Sequence, residues 1–188
     1  MKLVYLDTNI LLAPLRHDDP NYEYAQKIIS LKHIRFITGT ITLVEIASVM
    51  SRESELVRSF FIKFLNDNFE ETKSIAEENQ ISLIIDFLIN LFNLEIMEEG
   101  SIEKLLVLGK YIQLPSILSH AISYAPLAQL RTLDLLHLSI VLFHLNFHGL
   151  QIDYLVTSDL DFLKKRDSIQ RLSKLVIISL KSFIELES

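Results

Sequence analysis

Four acidic residues occupy positions from which their carboxylates could share a cation: Asp7, Glu45, Asp134 and Asp159. Burying several acids is costly unless a positive charge joins them. A set of oxygen ligands, in a chain without cysteine, suits Mg²⁺ or Mn²⁺ better than zinc. Such ions activate a water molecule and stabilise the oxygens of an in-line phosphoryl displacement. The set therefore predicts a metal-dependent hydrolase that acts on phosphodiester bonds.

Two of these acids follow apolar runs. Residues 3–6 lead directly to Asp7, and residues 154–157 lead through Ser158 to Asp159. A short apolar run predicts a strand that is buried on both faces of a parallel sheet. Because open α/β sheets bind ligands at the carboxyl ends of their strands, we expect both acids at that edge of the sheet.

The other two acids lie on predicted helices. Apolar residues at helical spacing predict a helix from Thr40 to Met50, and Glu45 lies on its inner, apolar-rich side. A second helix is predicted from Thr132 to His148, and its first residue can cap it. Asp134 lies in the first turn of this second helix.

Each acid also has a purely structural interpretation. Thr42 and Glu45 have the spacing of a capping box. Asp134 would be favoured by the helix macrodipole, and Asp159 could cap the helix that follows it. For each acid alone, the structural role and the functional role are about equally supported. The presence of all four favours the metal site.

Four segments resemble the signature segments of the PIN-domain family and occur in that family's order. They are Tyr5-Leu6-Asp7-Thr8-Asn9-Ile10-Leu11-Leu12, Thr42-Leu43-Val44-Glu45-Ile46, Thr132-Leu133-Asp134-Leu135-Leu136-His137-Leu138 and Leu155-Val156-Thr157-Ser158-Asp159-Leu160-Asp161-Phe162. The resemblance covers about residues 1–52 and 131–165. The family consists mostly of metal-dependent ribonucleases and includes the VapC-type toxins of toxin–antitoxin pairs.

The resemblance implies a parallel sheet with the acids at the carboxyl ends of its strands. It assigns the family's metal-site acids to Asp7, Glu45, Asp134 and Asp159, with Mg²⁺ or Mn²⁺ as the cofactor. Asn9 and Thr157 match supporting positions that would orient carboxylates or a water, and Asp161 is a candidate extra acid. The resemblance also implies an RNA substrate and, for a toxin, an antitoxin protein as partner.

Strands separated by helical segments predict a three-layer α/β/α sandwich around a central parallel sheet. No linker is evident, so residues 1–188 are expected to form one domain. From about residue 69 to 124 we predict two or three amphipathic helices, with breaks at Gly100 and Pro115. This helical insertion looks longer than the middle of small toxin-type members of the family.

One predicted helix in this insertion, over residues 81–92, has almost no polar face. A helix that is apolar all round must be covered on all sides. We therefore predict a homodimer in which this helix contacts a second copy of the chain. The alternative is that the helix forms the insertion's own core. Asp86 and Asn90 interrupt the apolar stretch well short of a membrane span, so no membrane association is expected.

The net charge of −6 and the pI near 5.5 argue against a protein that holds nucleic acid by charge alone. They argue less against a metal-dependent nuclease, whose clustered acids are neutralised by bound cations. The absence of cysteine fits a cytoplasmic protein. The alternative function is a PIN-fold module that binds nucleic acid or protein with little or no catalysis.

Other residues carry weaker signals. His137 lies one turn from Asp134, but a core or surface histidine is about twice as well supported as a metal ligand, since a single histidine on an apolar helix is a weak signal. Arg52 could meet a phosphate if the helix of Glu45 extends that far. The only clear run of basic residues could guide an RNA backbone or form a solvated surface: Lys164, Lys165, Arg166, Arg171 and Lys174.

Overall fold

The computed structural model describes residues 1–64, 77–98, 100–107, 109–171 and 173–187. Its strands are β1 (Lys2–Leu6), β2 (Ile34–Gly39), β3 (Leu94–Met97), β4 (Ile102–Val107), β5 (Lys110–Pro115), β6 (Tyr154–Thr157) and β7 (Val176–Ser179). Five of them form a central sheet in the order β3-β2-β1-β6-β7, and every pairing in it is parallel. The other two, β4 and β5, form an antiparallel hairpin.

The helices are α1 (Thr8–Leu12), α2 (Tyr22–Ile29), α3 (Thr40–Met50), α4 (Ser54–Phe64), α5 (Glu77–Phe92), α6 (Ser116–Ala128), α7 (Thr132–Phe147), α8 (Leu160–Lys164), α9 (Arg166–Gln170) and α10 (Leu180–Glu187). A short 3₁₀ helix, Ala13–Leu15, continues from α1. Helices thus separate most of the parallel strands, as right-handed crossover connections require.

The sheet separates two apolar cores, because successive side chains of a strand point to opposite faces. Val4 and Leu6 of β1 belong to one core, which is filled by side chains of α1 to α5 and α10. Leu3 and Tyr5 belong to the other, which is filled by α6 to α9. The predicted three-layer α/β/α sandwich is therefore confirmed.

The middle of the chain differs from the prediction. Helices α5 and α6 are present, but Leu94–Met97, Ile102–Val107 and Lys110–Pro115 are strands, where we expected helices broken only at Gly100 and Pro115. One of them, β3, completes the central sheet by pairing with β2, with Leu94 opposite Phe36. Residues 69–76 lie outside the described residues. Whether the stretch from about 69 to 124 is an insertion into a smaller domain stays a prediction.

Both predicted break points have a structural reason. Pro115 ends β5 immediately before α6 begins. Gly100 precedes β4 and lies against Ser116 and Phe143, so closely that any side chain there would collide with both. A residue without a Cβ is therefore required at this position.

Helix α5 is covered largely within the chain. Ile84, Leu88 and Phe92 are fully buried in the first core, whereas Leu83 on the outer side is 43% exposed. This packing supports the alternative to the homodimer, in which the helix contributes to the chain's own core. No single helix in the described parts of the chain has the length and apolarity to cross a membrane; α6 and α7 reach both only as a pair bent by 112°.

Candidate metal centre

Asp7 lies at the carboxyl end of β1, the central strand of the sheet. Its backbone N–H donates to the carbonyl of Val156 at 3.1 Å, which continues the pairing with β6. Its Oδ1 accepts the backbone N–H of Thr8 at 2.7 Å and so caps α1, while the Thr157 hydroxyl donates to Oδ2 at 2.6 Å. Burial raises the pKa of the Asp7 carboxyl above its ordinary value, although His137 and Thr157 oppose the shift.

Glu45 reaches the same place from α3. Its Oε2 accepts two hydrogen bonds, a short one from the Thr8 hydroxyl and one of 2.6 Å from Nε2 of His137. Burial alone would raise the pKa of the Glu45 carboxyl, but these two hydrogen bonds and the charge of the imidazole lower it from its ordinary value. Glu45 is therefore held as a carboxylate beside Asp7.

The capping box considered for Glu45 is wrong. Helix α3 begins at Thr40 after Gly39, so Thr42 lies inside the helix rather than at its cap. The buried Thr42 hydroxyl instead pairs with the Thr38 hydroxyl at 2.6 Å. The Glu45 side chain is thus free to contact residues from two other helices.

Asp134 lies in the first turn of α7, as predicted, and is half-buried. Its pKa is raised to about 6, first by burial and then by the negative charges of Asp159 and Asp7. His137 and Arg131 offset part of this rise. The mutual repulsion shows that three of the predicted acids, Asp134, Asp159 and Asp7, are close enough to influence one another.

Asp159 follows β6 and caps α8. Its Oδ1 accepts the backbone N–H groups of Asp161 and Phe162, at 2.7 and 3.1 Å. Its own N–H donates to the Thr157 hydroxyl oxygen at 3.0 Å, so Thr157 joins Asp7 to Asp159. The structural role considered for Asp159 is therefore confirmed, and it leaves the second carboxylate oxygen, Oδ2, outside the cap.

His137 belongs to this cluster, contrary to the interpretation favoured from the sequence. Its Nε2 lies 2.6 Å from Glu45 Oε2 and 3.6 Å from Asp7 Oδ1, and its Nδ1 lies 2.7 Å from the Tyr5 hydroxyl. Burial lowers the pKa of the imidazole, but Tyr5, Glu45 and Asp7 together raise it well above its ordinary value. The only signal in the sequence was that His137 is one helical turn from Asp134.

Asp161 and Asn9 lie at the rim of the cluster. Arg131 and Lys164 pair with the Asp161 carboxylate at 2.8 and 3.2 Å. The hydrogen bond from Lys164 is the main reason that the pKa of Asp161 is lowered. Asp161 is thus engaged by two cations. Asn9 lies on α1 and is exposed.

An open cavity of about 470 Å³ lies against this rim. Its walls carry acidic, basic and amide side chains: Asn9, Arg131, Ser158, Asp159, Leu160, Asp161 and Lys164. The Asp159 carboxylate, which could bind a cation, therefore lies at the same cavity as Arg131 and Lys164, which could contact a phosphate.

The other basic candidates are less closely connected to the acids. Helix α3 ends at Met50, so Arg52 lies beyond it, and the premise that placed Arg52 on the same side as Glu45 is wrong. Lys165 donates to the carbonyl of Gln129, and Arg166 lies 3.6 Å from Asp167. Of the predicted basic run, Lys164 is the residue that lines the cavity.

The described residues include one group whose ligand atoms all lie within 4.8 Å of one another: Asp7, Glu45 and His137. A family model described as PIN domain matches residues 4–167. The chain belongs to the PIN-domain family. In this PIN domain the four candidate acids follow β1 and β6 or lie on α3 and α7.

Two solved structures share the fold of this PIN domain. The VapBC2 complex of Rickettsia felis, bound to a DNA fragment from its promoter, contains a chain that matches with a TM-score of 0.50 and 16% identity, over 94% of this chain and 98% of that one. VapBC-1 from nontypeable Haemophilus influenzae matches with a TM-score of 0.50 and 15% identity, over 95% and 98%. No curated protein sequence matches the chain.

The donor chemistry of the site fits a divalent cation. All four predicted ligands are carboxylates, and the pKa values of two of them, Asp7 and Asp134, are raised by burial and by neighbouring acids. In Glu45 both hydrogen-bond donors contact Oε2, and in Asp159 both contact Oδ1, so each side chain keeps one oxygen available. Hard oxygen ligands of this kind suit Mg²⁺ or Mn²⁺.

Proposed function

We propose that this PIN-domain protein is a Mg²⁺- or Mn²⁺-dependent endoribonuclease, and that Asp7, Glu45, Asp134 and Asp159 form its metal site. The observation that carries the proposal is geometric: ligand atoms of Asp7, Glu45 and His137 lie within 4.8 Å of one another. The charges of Asp7 and Asp159 also reach Asp134 and help to raise its pKa to about 6. Carboxylates that repel one another in a half-buried site are stabilised when a divalent cation binds between them. Membership of the PIN family supports a nuclease activity.

The chain's own residues would hold the reacting groups in place. A bound divalent ion supplies activation of a water molecule and stabilises charge on the phosphodiester oxygens. Thr157 orients Asp7 and the backbone of Asp159, and the cap of α8 fixes the Asp159 carboxylate. These contacts keep the ligands organised before any substrate arrives.

Substrate contact is assigned to the cavity beside the acids. Arg131 and Lys164 are both largely exposed and share Asp161 as their acidic partner. Both can reach toward a phosphate while still held by Asp161, so the RNA backbone would be oriented by two cations at the edge of the metal site. This local arrangement offsets the net charge of −6, which would otherwise disfavour a polyanionic substrate.

The test is cleavage of a fluorescently labelled single-stranded RNA. We expect no cleavage in the presence of a chelator and restored cleavage when Mn²⁺ or Mg²⁺ is added in excess. Asp7→Asn should abolish cleavage without unfolding the chain, since it keeps the side-chain shape and removes the charge. Asp86→Asn, at an exposed position on α5, is the control and should cleave like the unchanged protein. Full activity of Asp7→Asn would refute the mechanism.

The alternative, a PIN-fold binding module, has one supporting observation, which is the acidic net charge. A protein that binds Mn²⁺ and RNA but leaves the RNA intact would favour this module. The RNA cleavage assay described above, with RNA binding measured in parallel, thus distinguishes an enzyme from a binding module.

We also infer an antitoxin protein as partner, because the chain shares its fold with chains of two VapBC complexes. Co-expression with a small protein encoded immediately upstream should then give a stable complex. An RNA substrate would place the protein in the cytoplasm. The homodimer stays a prediction: light scattering that gives a mass near 21.7 kDa would reject it.

A further inference from the structure

A buried chain of hydrogen bonds leads from the backbone of β2 to Glu45. The N–H of Gly39 donates to the Tyr5 hydroxyl oxygen at 3.3 Å, and that hydroxyl lies 2.7 Å from Nδ1 of His137. Nε2 on the other side of the ring lies 2.6 Å from Glu45 Oε2. Tyr5 is fully buried and His137 is 1% exposed, so water does not substitute for any of these partners.

The protons in this chain can be assigned from the donors and acceptors alone. A backbone N–H can only donate, so the Tyr5 oxygen accepts from Gly39; when the His137 ring is neutral and Nδ1 carries no proton, the Tyr5 hydroxyl donates to Nδ1. Nε2 then carries the ring proton and donates it to Glu45. If both ring nitrogens are protonated, Nδ1 donates to the Tyr5 oxygen and Nε2 still donates to Glu45. The remaining tautomer would set a bare nitrogen 2.6 Å from a carboxylate oxygen, two acceptors without a proton between them.

We propose that His137 is a positioning residue that acts through Glu45, with Tyr5 holding its ring, and is not itself a metal ligand. The inference rests on the metal site proposed above and deepens it. His137 and Thr8 both occupy Oε2 of Glu45, so the carboxylate is fixed in rotation and its Oε1 is the oxygen presented to a cation. Partners of this kind determine ligand orientation, and their loss weakens metal binding about 10- to 100-fold.

The arrangement also explains why the site has a histidine that the four acids do not require. His137 joins β1, which leads directly to Asp7, to α3, which carries Glu45, and its own helix, α7, carries Asp134. A side chain with a donor at one end and an acceptor at the other can contact both Glu45 and Tyr5 while remaining buried. His137 therefore connects three of the elements on which the site is built.

The experiment is calorimetric titration of Mn²⁺ into the full chain and four variants. His137→Leu removes the donor and should weaken Mn²⁺ binding about 10- to 100-fold. His137→Gln places an amide N–H at a similar distance along the side chain and should restore most of the affinity. Tyr5→Phe keeps His137 but releases its ring, so the loss should be about tenfold, the lower end of the same range.

The matched control is His144→Leu, a buried histidine on the same helix, where Nε2 contacts the carbonyl of Glu98 rather than an acid of the site. We expect it to bind Mn²⁺ like the unchanged protein. Thermal unfolding without metal, measured for every variant, separates loss of the fold from loss of the site. If His137→Leu does not fold, the Mn²⁺ affinities of His137→Gln and Tyr5→Phe still test the proposal. His137→Gln keeps a donor to Glu45 that does not need the Tyr5 hydroxyl, whereas in Tyr5→Phe the donor on His137 loses that support, so Tyr5→Phe should bind Mn²⁺ more weakly.

Pulsed electron paramagnetic resonance of bound Mn²⁺ distinguishes positioning from ligation. If His137 is not a ligand, the spectrum should lack the ¹⁴N coupling that an imidazole bound directly to Mn²⁺ would give. Such a coupling, lost in His137→Gln, would overturn the proposal, as would unchanged affinity in His137→Leu. Failure of the unchanged protein to bind Mn²⁺ would overturn the proposed function and this inference together. Mn²⁺ binding with the same affinity in the unchanged protein and in the His137 variants would overturn only the inference.

Discussion

Replacing Asp134 by asparagine should stabilise the metal-free protein at neutral pH. Folding raises the pKa of Asp134 from 3.8 to about 6, because the carboxylate is half-buried beside Asp159 and Asp7. The folded chain therefore binds the proton more tightly than the unfolded chain does. It follows that the contribution of Asp134 to stability is lost as the pH rises from about 4 to about 6, and above that range the charged form opposes folding.

The magnitude follows from the shift. About two pKa units at ~1.4 kcal/mol each give roughly 3 kcal/mol, and solvent screening of a half-buried group reduces this to about half. The asparagine also loses the favourable interaction of a charge with the N-terminus of α7, on the order of 0.5 kcal/mol. We therefore expect a net gain of about 1 kcal/mol, or roughly 2–4 °C in Tm for a chain of this size.

The assay is thermal unfolding followed by circular dichroism, with a chelator, at pH 5.0 and pH 7.5. The Tm of Asp134→Asn should be higher than that of the unchanged protein at pH 7.5, and the difference in Tm should be smaller at pH 5.0. Asp167→Asn is the matched control, because Asp167 also lies in the first turn of a helix, yet its side chain is 81% exposed. A less stable Asp134→Asn at pH 7.5, or a gain equal to that of the control, would refute the interpretation of the acid cluster as a site of stored repulsion.

Two further variants test the site and the core. Thr157→Val removes the hydroxyl that donates to Asp7 and keeps the side-chain shape, so Mn²⁺ affinity measured by calorimetry should fall about tenfold; unchanged affinity would show that Thr157 does not orient the site. Ile84→Ala, in the fully buried face of α5, should lower the free energy of unfolding in urea by about 2–5 kcal/mol. Leu83→Ala, on the exposed face, should change it by about 0.5 kcal/mol, and equal losses at the two positions would contradict the packing described.

The central sheet could be predicted where the sequence contains unbroken apolar runs. β1 and β6 are of this kind, and each leads to an acid. The strand β3 was missed because Glu95 interrupts its four residues, which look like the end of the preceding apolar helix. What makes this segment a strand is its pairing with β2, a contact between residues about sixty positions apart that no local pattern contains. The hairpin of β4 and β5 likewise depends on its own pairing.

The places of the four candidate acids in the fold could be predicted, because two follow apolar strands and two lie on helices with clear apolar spacing. The hydrogen bonds of His137 could not be predicted, since its partners Tyr5 and Glu45 are 132 and 92 residues away in the sequence. A histidine on an apolar helix has the same local sequence whether it contacts a carboxylate or only other side chains. Asp161 shows the converse: its proximity to Asp159 in sequence suggested a further ligand, but Arg131 pairs with it across the fold.

The most direct measurement of the central claim is an anomalous difference map from a crystal of the protein soaked in Mn²⁺. Coordination by hard oxygen ligands at roughly 2.0–2.3 Å is expected. The account predicts a peak at that distance from carboxylate oxygens of Asp7, Glu45, Asp134 and Asp159, with His137 hydrogen-bonded to Glu45 and outside the coordination shell. A peak elsewhere, or none between these acids at saturating Mn²⁺, would contradict it.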